Sequence, residues 1–270
     1  MPGRPLVVSL GAMAAVSLLG LGATVQVALR SSRGLRLDRA ASDAVSNPAL
    51  VLTRLYEGRG WATFTVGLLL LLTVLLAMVR ARADLALGAL VVIGGANLTS
   101  RILKYGVLPG LDLRPETASL PSGHATAALS VAIAAVILAR PARRWTVAVG
   151  VSAAAAFVGV AMVLGRHHQP LDIIAAIFVC LLWAAAGLLT ALLVRPRSPA
   201  AASAPAPGAP VRRRVLVGIS IGGALLVWWG VRPQPDLQDL WLGVAALGLI
   251  GLACAASVGA VARLADRHLG

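Results

Sequence analysis

The chain has 270 residues, of which 59% are hydrophobic and 13% charged, and its net charge of +14 comes from 24 Lys and Arg against 10 Asp and Glu. This composition excludes a soluble globular domain, because runs of about twenty apolar residues recur and each can cross a hydrocarbon layer of roughly 30 Å. The arginines mostly flank these runs, where they anchor helix ends, so the charge does not indicate a nucleic-acid partner. The sequence predicts an all-α, polytopic transmembrane protein.

Six apolar spans are predicted within residues 1–195, and they are Val7–Leu29, Trp61–Val79, Leu85–Leu103, Gly123–Ala139, Trp145–Gly165 and Leu171–Val194. After the first span, Leu37–Leu55 mixes polar and apolar residues, which predicts a short helix lying on the membrane surface. Residues 104–122 are predicted to form a loop, because turn signals such as Pro109-Gly110 recur there.

The last quarter of the chain has a different composition. Residues 196–214 form a Pro/Ala-rich stretch that is typical of a linker. Two further spans, Val215–Val231 and Leu240–Ala262, predict an accessory transmembrane hairpin within residues 215–270. Eight spans place both termini on one side, and the Lys and Arg of the shorter loops favour a cytoplasmic N-terminus. The loops after spans three and five then lie on the extracytoplasmic face of the cell membrane.

Metal ligands are sparse in this sequence. Cys180 and Cys254 both lie inside apolar runs, where a cysteine usually serves packing, and two such cysteines give no disulfide framework. The 4 histidines are residues 124, 167, 168 and 268, and no carboxylates cluster near them. We therefore expect neither a metal site nor a cofactor.

Two polar clusters stand directly before apolar spans. The first is Leu120-Pro121-Ser122-Gly123-His124, where Ser122 is a candidate N-cap of the following helix. A helix N-terminus offers unpaired N–H groups and a partial positive charge, and Gly123 lets the backbone approach an anion, so this cluster suits a phosphate.

The second cluster is Arg166-His167-His168-Gln169-Pro170-Leu171-Asp172. His168 and Asp172 are four residues apart, so a helix that begins near Pro170 brings both to one face. The carboxylate can then fix the imidazole tautomer and leave the other ring nitrogen free to attack phosphorus. His124 is the candidate to protonate the departing oxygen. Candidate phosphate-binding cations are Lys104, Arg114 and Arg166.

These residues resemble the type 2 phosphatidic acid phosphatase (PAP2) family, whose motifs are Lys-x6-Arg-Pro, Pro-Ser-Gly-His and Ser-Arg-x5-His-x3-Asp. The second motif matches completely at Pro121–His124, and the third matches at His168 and Asp172. The resemblance covers roughly residues 1–195 and implies a six-helix core that hydrolyses a phosphoester without metal through a phosphohistidine. It implies His168 as nucleophile, Asp172 as its orienting partner and His124 as general acid. Lys104, Ser122 and Gly123 would hold the phosphoryl oxygens.

The sequence departs from the family pattern at two places. Nine residues, not six, separate Lys104 from Arg114, and Ala161-Met162 stand where the third motif has Ser-Arg. Arg114 or Arg166 is the candidate to replace the absent arginine.

Because the site lies at helix ends, we expect a phosphorylated lipid as substrate, either an isoprenoid (di)phosphate or a phosphatidyl phosphate. The alternatives are a head-group or phosphoryl transferase, a catalytically impaired PAP2-like scaffold and, less favoured because no broken helices occur in paired halves, a transporter. The oligomeric state stays open.

Overall fold

The computed structural model describes residues 4–45, 82–111, 119–195 and 237–269, and within these ranges every regular element is helical. The helices are α1 (Arg4–Arg30), α2 (Ser32–Val45), α3 (Ala83–Ile102), α4 (Leu108–Leu111), α5 (Gly123–Leu138), α6 (Arg144–Leu164), α7 (Pro170–Val194) and α8 (Leu237–Leu269). A π-helical turn, Leu103–Val107, joins α3 to α4, and a 3-10 turn, Pro141–Arg143, precedes α6. The predicted all-α, transmembrane fold class is confirmed.

Among the described residues, 5 helical stretches are long and apolar enough to cross a membrane, and they are Pro5–Arg30, Ala83–Val107, Pro141–Leu164, Pro170–Val194 and Leu240–Leu269. Helix α5 is apolar but shorter. These six helices correspond to six of the predicted spans. The other two predicted spans, Trp61–Val79 and Val215–Val231, lie outside the described residues, as does the predicted linker 196–214.

The prediction that residues 104–122 form a loop is wrong in its first part, since residues 104–111 are helical. The backbone stays helical beyond Ile102 through the π-helical turn and α4 to Leu111. Pro109 is a turn signal by composition, but it lies in α4 directly after the π-helical turn, and such a local adjustment is one way in which a membrane helix accommodates the missing N–H of a proline. Lys104 therefore lies on a helical turn and not in a loop.

Helix α2 covers the end of the bundle at which the two polar clusters meet. It begins at Ser32, five residues before the predicted surface helix, and the described part ends at Val45. Leu35, Ala41 and Val45 are buried while Leu37 on the opposite side is exposed, so the helix is amphipathic. Its place on the membrane surface stays a prediction, and residues 46–55 of the predicted helix lie outside the described residues. Its buried face packs on the first half of α8, where an added Cβ at Gly243 would meet the Val45 side chain and lie 3.0 Å from the carbonyl oxygen of Ala41.

Helix α7 lies in the centre of the bundle and packs against α1, α3, α5 and α8. It crosses α3 through facing glycines, since an added Cβ at Gly88 would lie 2.6 Å from the carbonyl oxygen of Gly187. Such close approach of small residues is how membrane helices gain packing in the absence of a hydrophobic driving force. Helix α8 shares this core, in which its buried residues include Leu247, Ile250 and Val258.

Candidate active site

The first polar cluster forms the N-terminus of α5. Ser122 has an extended backbone and its Oγ accepts a hydrogen bond from the Ala125 N–H at 3.3 Å, so the predicted N-cap is present. The Ser122 side chain is fully buried, which fixes this first turn in place. Gly123, in contrast, is exposed, and a Cβ added to it would meet no atom of the described residues within 4 Å. The start of α5 is therefore open on this side among the described residues, and a helix N-terminus suits an anion.

The second polar cluster forms the N-terminus of α7. Gln169 is the N-cap and Pro170 the first helical residue, a position at which proline loses no intrahelical hydrogen bond. The Asp172 Oδ2 accepts from the Gln169 N–H at 3.1 Å, while the Gln169 side chain accepts from the Asp172 N–H. This reciprocal capping box holds the Asp172 carboxylate over the start of the helix.

His168 and Asp172 form a buried pair at this helix start. The His168 Nδ1 lies 3.0 Å from the Asp172 Oδ2, and the two residues are 8% and 4% exposed. Because a carboxylate only accepts, the imidazole donates through Nδ1–H, and its Nε2 then carries the lone pair. The predicted spacing thus places both groups on one face, in the geometry that an oriented histidine nucleophile requires.

The two helix starts are joined directly. The Ser122 N–H donates to the Asp172 carbonyl oxygen at 3.0 Å, which ties the two motifs together through their backbones. The ring centroids of His124 and His168 are 6.3 Å apart with an interplanar angle of 62°. The structure therefore brings together five of the predicted site residues, which are Ser122, Gly123, His124, His168 and Asp172.

One further side chain, Ser119, reaches this group and was not predicted. Its Oγ donates to the Asp172 Oδ2 at 2.5 Å, so this oxygen accepts from Ser119, from the Gln169 N–H and from His168. Ser119 stands in a stretch that the sequence shows only as a polar loop. A single serine there carries no charge or periodicity signal, so only the tertiary contact identifies it.

The predicted cations have three different positions. Lys104 lies on the π-helical turn, with its Nζ 5.9 Å from the Tyr105 ring centroid, and within electrostatic reach of His124. Arg166 has a positive φ of 60°, and its exposed guanidinium donates to the Asp43 Oδ1 of α2 at 2.9 Å. Arg114 lies outside the described residues.

Met162, which stands in place of the family's arginine, is fully buried in the core. Its carbonyl oxygen accepts from the N–H groups of His167 and His168 at 3.0 and 3.2 Å. The residue therefore shapes the turn that presents His168 through its backbone, while its side chain adds no charge to the site.

A bundle of membrane-spanning helices with a buried His–Asp pair and a second histidine at one end defines a multi-pass membrane protein with a site at the helix ends. Residues 96–198 match the family model of the PAP2 superfamily. The chain therefore carries a domain of this phosphatase-type superfamily, as its motifs predict, and the domain includes both histidines of the site. No curated protein and no solved structure matches the chain.

Proposed function

We propose that this protein is a metal-independent membrane phosphatase that hydrolyses a lipid phosphate or isoprenoid (di)phosphate through a phosphohistidine. The observation that carries the proposal is the His124–His168 pair, whose ring centroids are 6.3 Å apart beside an open helix N-terminus. A phosphoryl group between the two rings meets a nucleophile on one side and a proton donor on the other.

In the first step, the His168 Nε2 attacks phosphorus, a P–N bond forms and the P–O bond to the lipid breaks. The departing oxygen takes a proton from His124. Asp172 stabilises the positive charge that develops on the His168 ring, through the hydrogen bond at Nδ1. In the second step, water attacks phosphorus, gives its proton to His124 and breaks the P–N bond, which releases phosphate and restores both histidines.

The phosphoryl oxygens need donors that are in place before the reaction begins. The N-terminus of α5 at Gly123 supplies the partial positive charge of a helix start, and Ser122 fixes its orientation through its cap. Lys104 supplies a positive charge from the adjacent π-helical turn. Arg114 and Arg166 remain the candidate cations for the charge that Met162 does not supply.

The position of the site at the helix ends supports a lipid as the substrate. Both helix starts belong to apolar helices, so a headgroup can reach the histidines while its tails stay in the bilayer. In the predicted topology the site faces the extracytoplasmic leaflet.

The experiment is phosphate release by the purified full-length protein from phosphatidic acid, a polyprenyl diphosphate and a soluble aryl phosphate, each with and without EDTA. We expect release from at least one lipid, insensitivity to EDTA, and a loss of at least about 10³-fold in His168→Ala, because His168 is the imidazole that Asp172 orients for attack. His167→Ala, at the exposed neighbouring position, is the matched control and should retain activity. Turnover retained in His168→Ala would remove the nucleophile assignment.

The second candidate function is a catalytically impaired PAP2-like scaffold. The buried Met162 and the exposed Arg166–Asp43 ion pair favour it, because neither gives the site a buried arginine. Absence of phosphate release from every substrate in the panel by the wild-type protein would support the scaffold.

A further inference from the structure

The N-terminus of α7 receives a hydrogen-bond acceptor from a distant part of the chain. The Asp38 Oδ1 on α2 accepts from the Leu171 N–H at 3.0 Å, across 133 residues of sequence. Pro170 has no N–H, and the Asp172 N–H is bonded to the Gln169 side chain. Asp38 therefore accepts from the Leu171 N–H, the one group in this turn, between Pro170 and Asp172, that the capping box does not bond.

Asp38 is poorly solvated where it stands. It is 7% exposed, and burial raises its pKa to about 7, opposed by the hydrogen bond from Leu171 and supported by the nearby Asp172 carboxylate. An apolar residue would fill the same place without this desolvation cost. The carboxyl is buried in spite of that cost, so its acceptor oxygen at the first turn of α7 is the feature to explain.

The helix that carries Asp38 is itself held in place. The buried face of α2 packs on α8 at Gly243, and the Asp43–Arg166 ion pair joins the exposed side of α2 to the turn before His168. The contact between Asp38 and Leu171 therefore links α8, through α2, to the turn that carries Asp172.

We infer that Asp38 is a positioning residue for the active site, which holds the first turn of α7 so that Asp172 keeps the His168 imidazole aligned for attack. Asp38 touches neither His168 nor the phosphate, and it acts through the backbone of Leu171. The inference rests on the proposed phosphatase function and gives α2 and α8 a part in it.

Two substitutions of Asp38 distinguish the loss of its hydrogen-bond acceptor from the loss of its charge. Asp38→Ala removes the acceptor, while Asp38→Asn keeps an oxygen at the Oδ1 position and removes the charge. We expect Asp38→Ala to lower kcat about tenfold with KM within about twofold, the size of one intramolecular hydrogen bond, and Asp38→Asn to recover most of kcat. Arg36→Ala, an exposed position on the same helix, is the matched control and should equal the wild type.

Hydrogen exchange gives a readout that does not depend on turnover. The amide of Leu171 should exchange faster in Asp38→Ala than in the wild type or in Asp38→Asn, because its acceptor is lost. If Asp38→Ala does not accumulate as folded protein, Asp38→Glu replaces it, since the longer side chain displaces the acceptor and should also lower kcat.

An unchanged kcat in Asp38→Ala, or an Asp38→Asn variant as slow as Asp38→Ala, would overturn the inference. So would unchanged exchange at Leu171. Absence of phosphate release by the wild-type protein would instead overturn the proposed function, and the exchange measurement would still decide whether Asp38 holds this turn.

Discussion

The Asp172 carboxylate shows how much of the site depends on single atoms. Its Oδ2 accepts hydrogen bonds from His168, Ser119 and the Gln169 N–H. The bonds to His168 and Gln169 follow from sequence spacing, because they lie within one helical turn. The bond from Ser119 spans 53 residues and depends on how the preceding loop approaches α7. Sequence therefore predicted the pair and missed the hydroxyl that restrains it.

At the residue scale, we expect Ser119→Ala to lower kcat about tenfold while KM stays within about twofold. The hydroxyl donates to a charged oxygen, a bond of roughly 1.5–3 kcal/mol, and without it Asp172 holds the His168 ring less firmly. Steady-state phosphate release measures both constants. Ser152→Ala is the control, since that hydroxyl bonds within its own helix to the Val149 carbonyl oxygen. Equal kcat values in Ser119→Ala and the wild type would show that Asp172 does not need this donor.

At the scale of helices, spans and caps are local properties and were largely predictable. Ser122 caps α5 and Gln169-Pro170 begins α7 because these residue types satisfy or avoid free N–H groups at a helix start. The continuation of the third span beyond Ile102 was missed, because Pro109 and Gly110 are turn signals by composition, whereas here they follow a π-helical turn that lets the helix continue. Lys104 owes its place on the π-helical turn to this continuation.

At the scale of helices, the testable prediction concerns the close crossing of α3 and α7 at Gly88 and Gly187. We expect Gly187→Ala to destabilise the protein by about 1–3 kcal/mol, because the new Cβ would lie 2.5 Å from the Gly88 carbonyl oxygen and would force the helices apart. Thermal unfolding in detergent measures the change, at roughly 2–4 °C per kcal/mol for a protein of this size.

Gly94→Ala on α3 is the matched control for this crossing, since a Cβ there would meet no atom within 4 Å in the part of the chain that the structure describes. Its melting temperature should equal or exceed that of the wild type, because alanine is the better helix former. A Gly187→Ala protein as stable as Gly94→Ala would mean that the helices do not approach this closely.

At the scale of the whole molecule, α8 is joined to the bundle at both of its ends. Near its start it supports α2 at Gly243, and near its end Asp266 accepts from the Arg144 Nη1 at 2.7 Å. Arg195 also donates to the His268 carbonyl oxygen at 2.9 Å. The division of the chain at residue 195 stays a prediction, yet the last helix packs in the same core as α5, α6 and α7.

The prediction for the whole molecule concerns the ion pair between Arg144 and Asp266. Arg144 is 1% exposed, so Asp266→Ala leaves a buried cation without its carboxylate and should destabilise the protein by about 3 kcal/mol. Thermal unfolding is again the measurement, with Arg143→Ala, an exposed arginine in the preceding turn, as control. The double variant Arg144→Met/Asp266→Leu should recover most of the loss, because it removes both charges together. A melting temperature of Asp266→Ala equal to that of the wild type would show that the pair does not fasten α8.

The sequence by itself determined the membrane class, the positions of the described spans, the helix starts at Ser122 and Pro170, and the pairing of His168 with Asp172. These are local properties, since apolar length, capping chemistry and four-residue spacing act within one segment. The tertiary structure alone decided that Ser119 and Asp38 reach the start of α7, that Met162 faces the core, and that α8 completes the bundle. These contacts join residues far apart in the chain, and they depend on how the helices pack against one another, which no local pattern specifies.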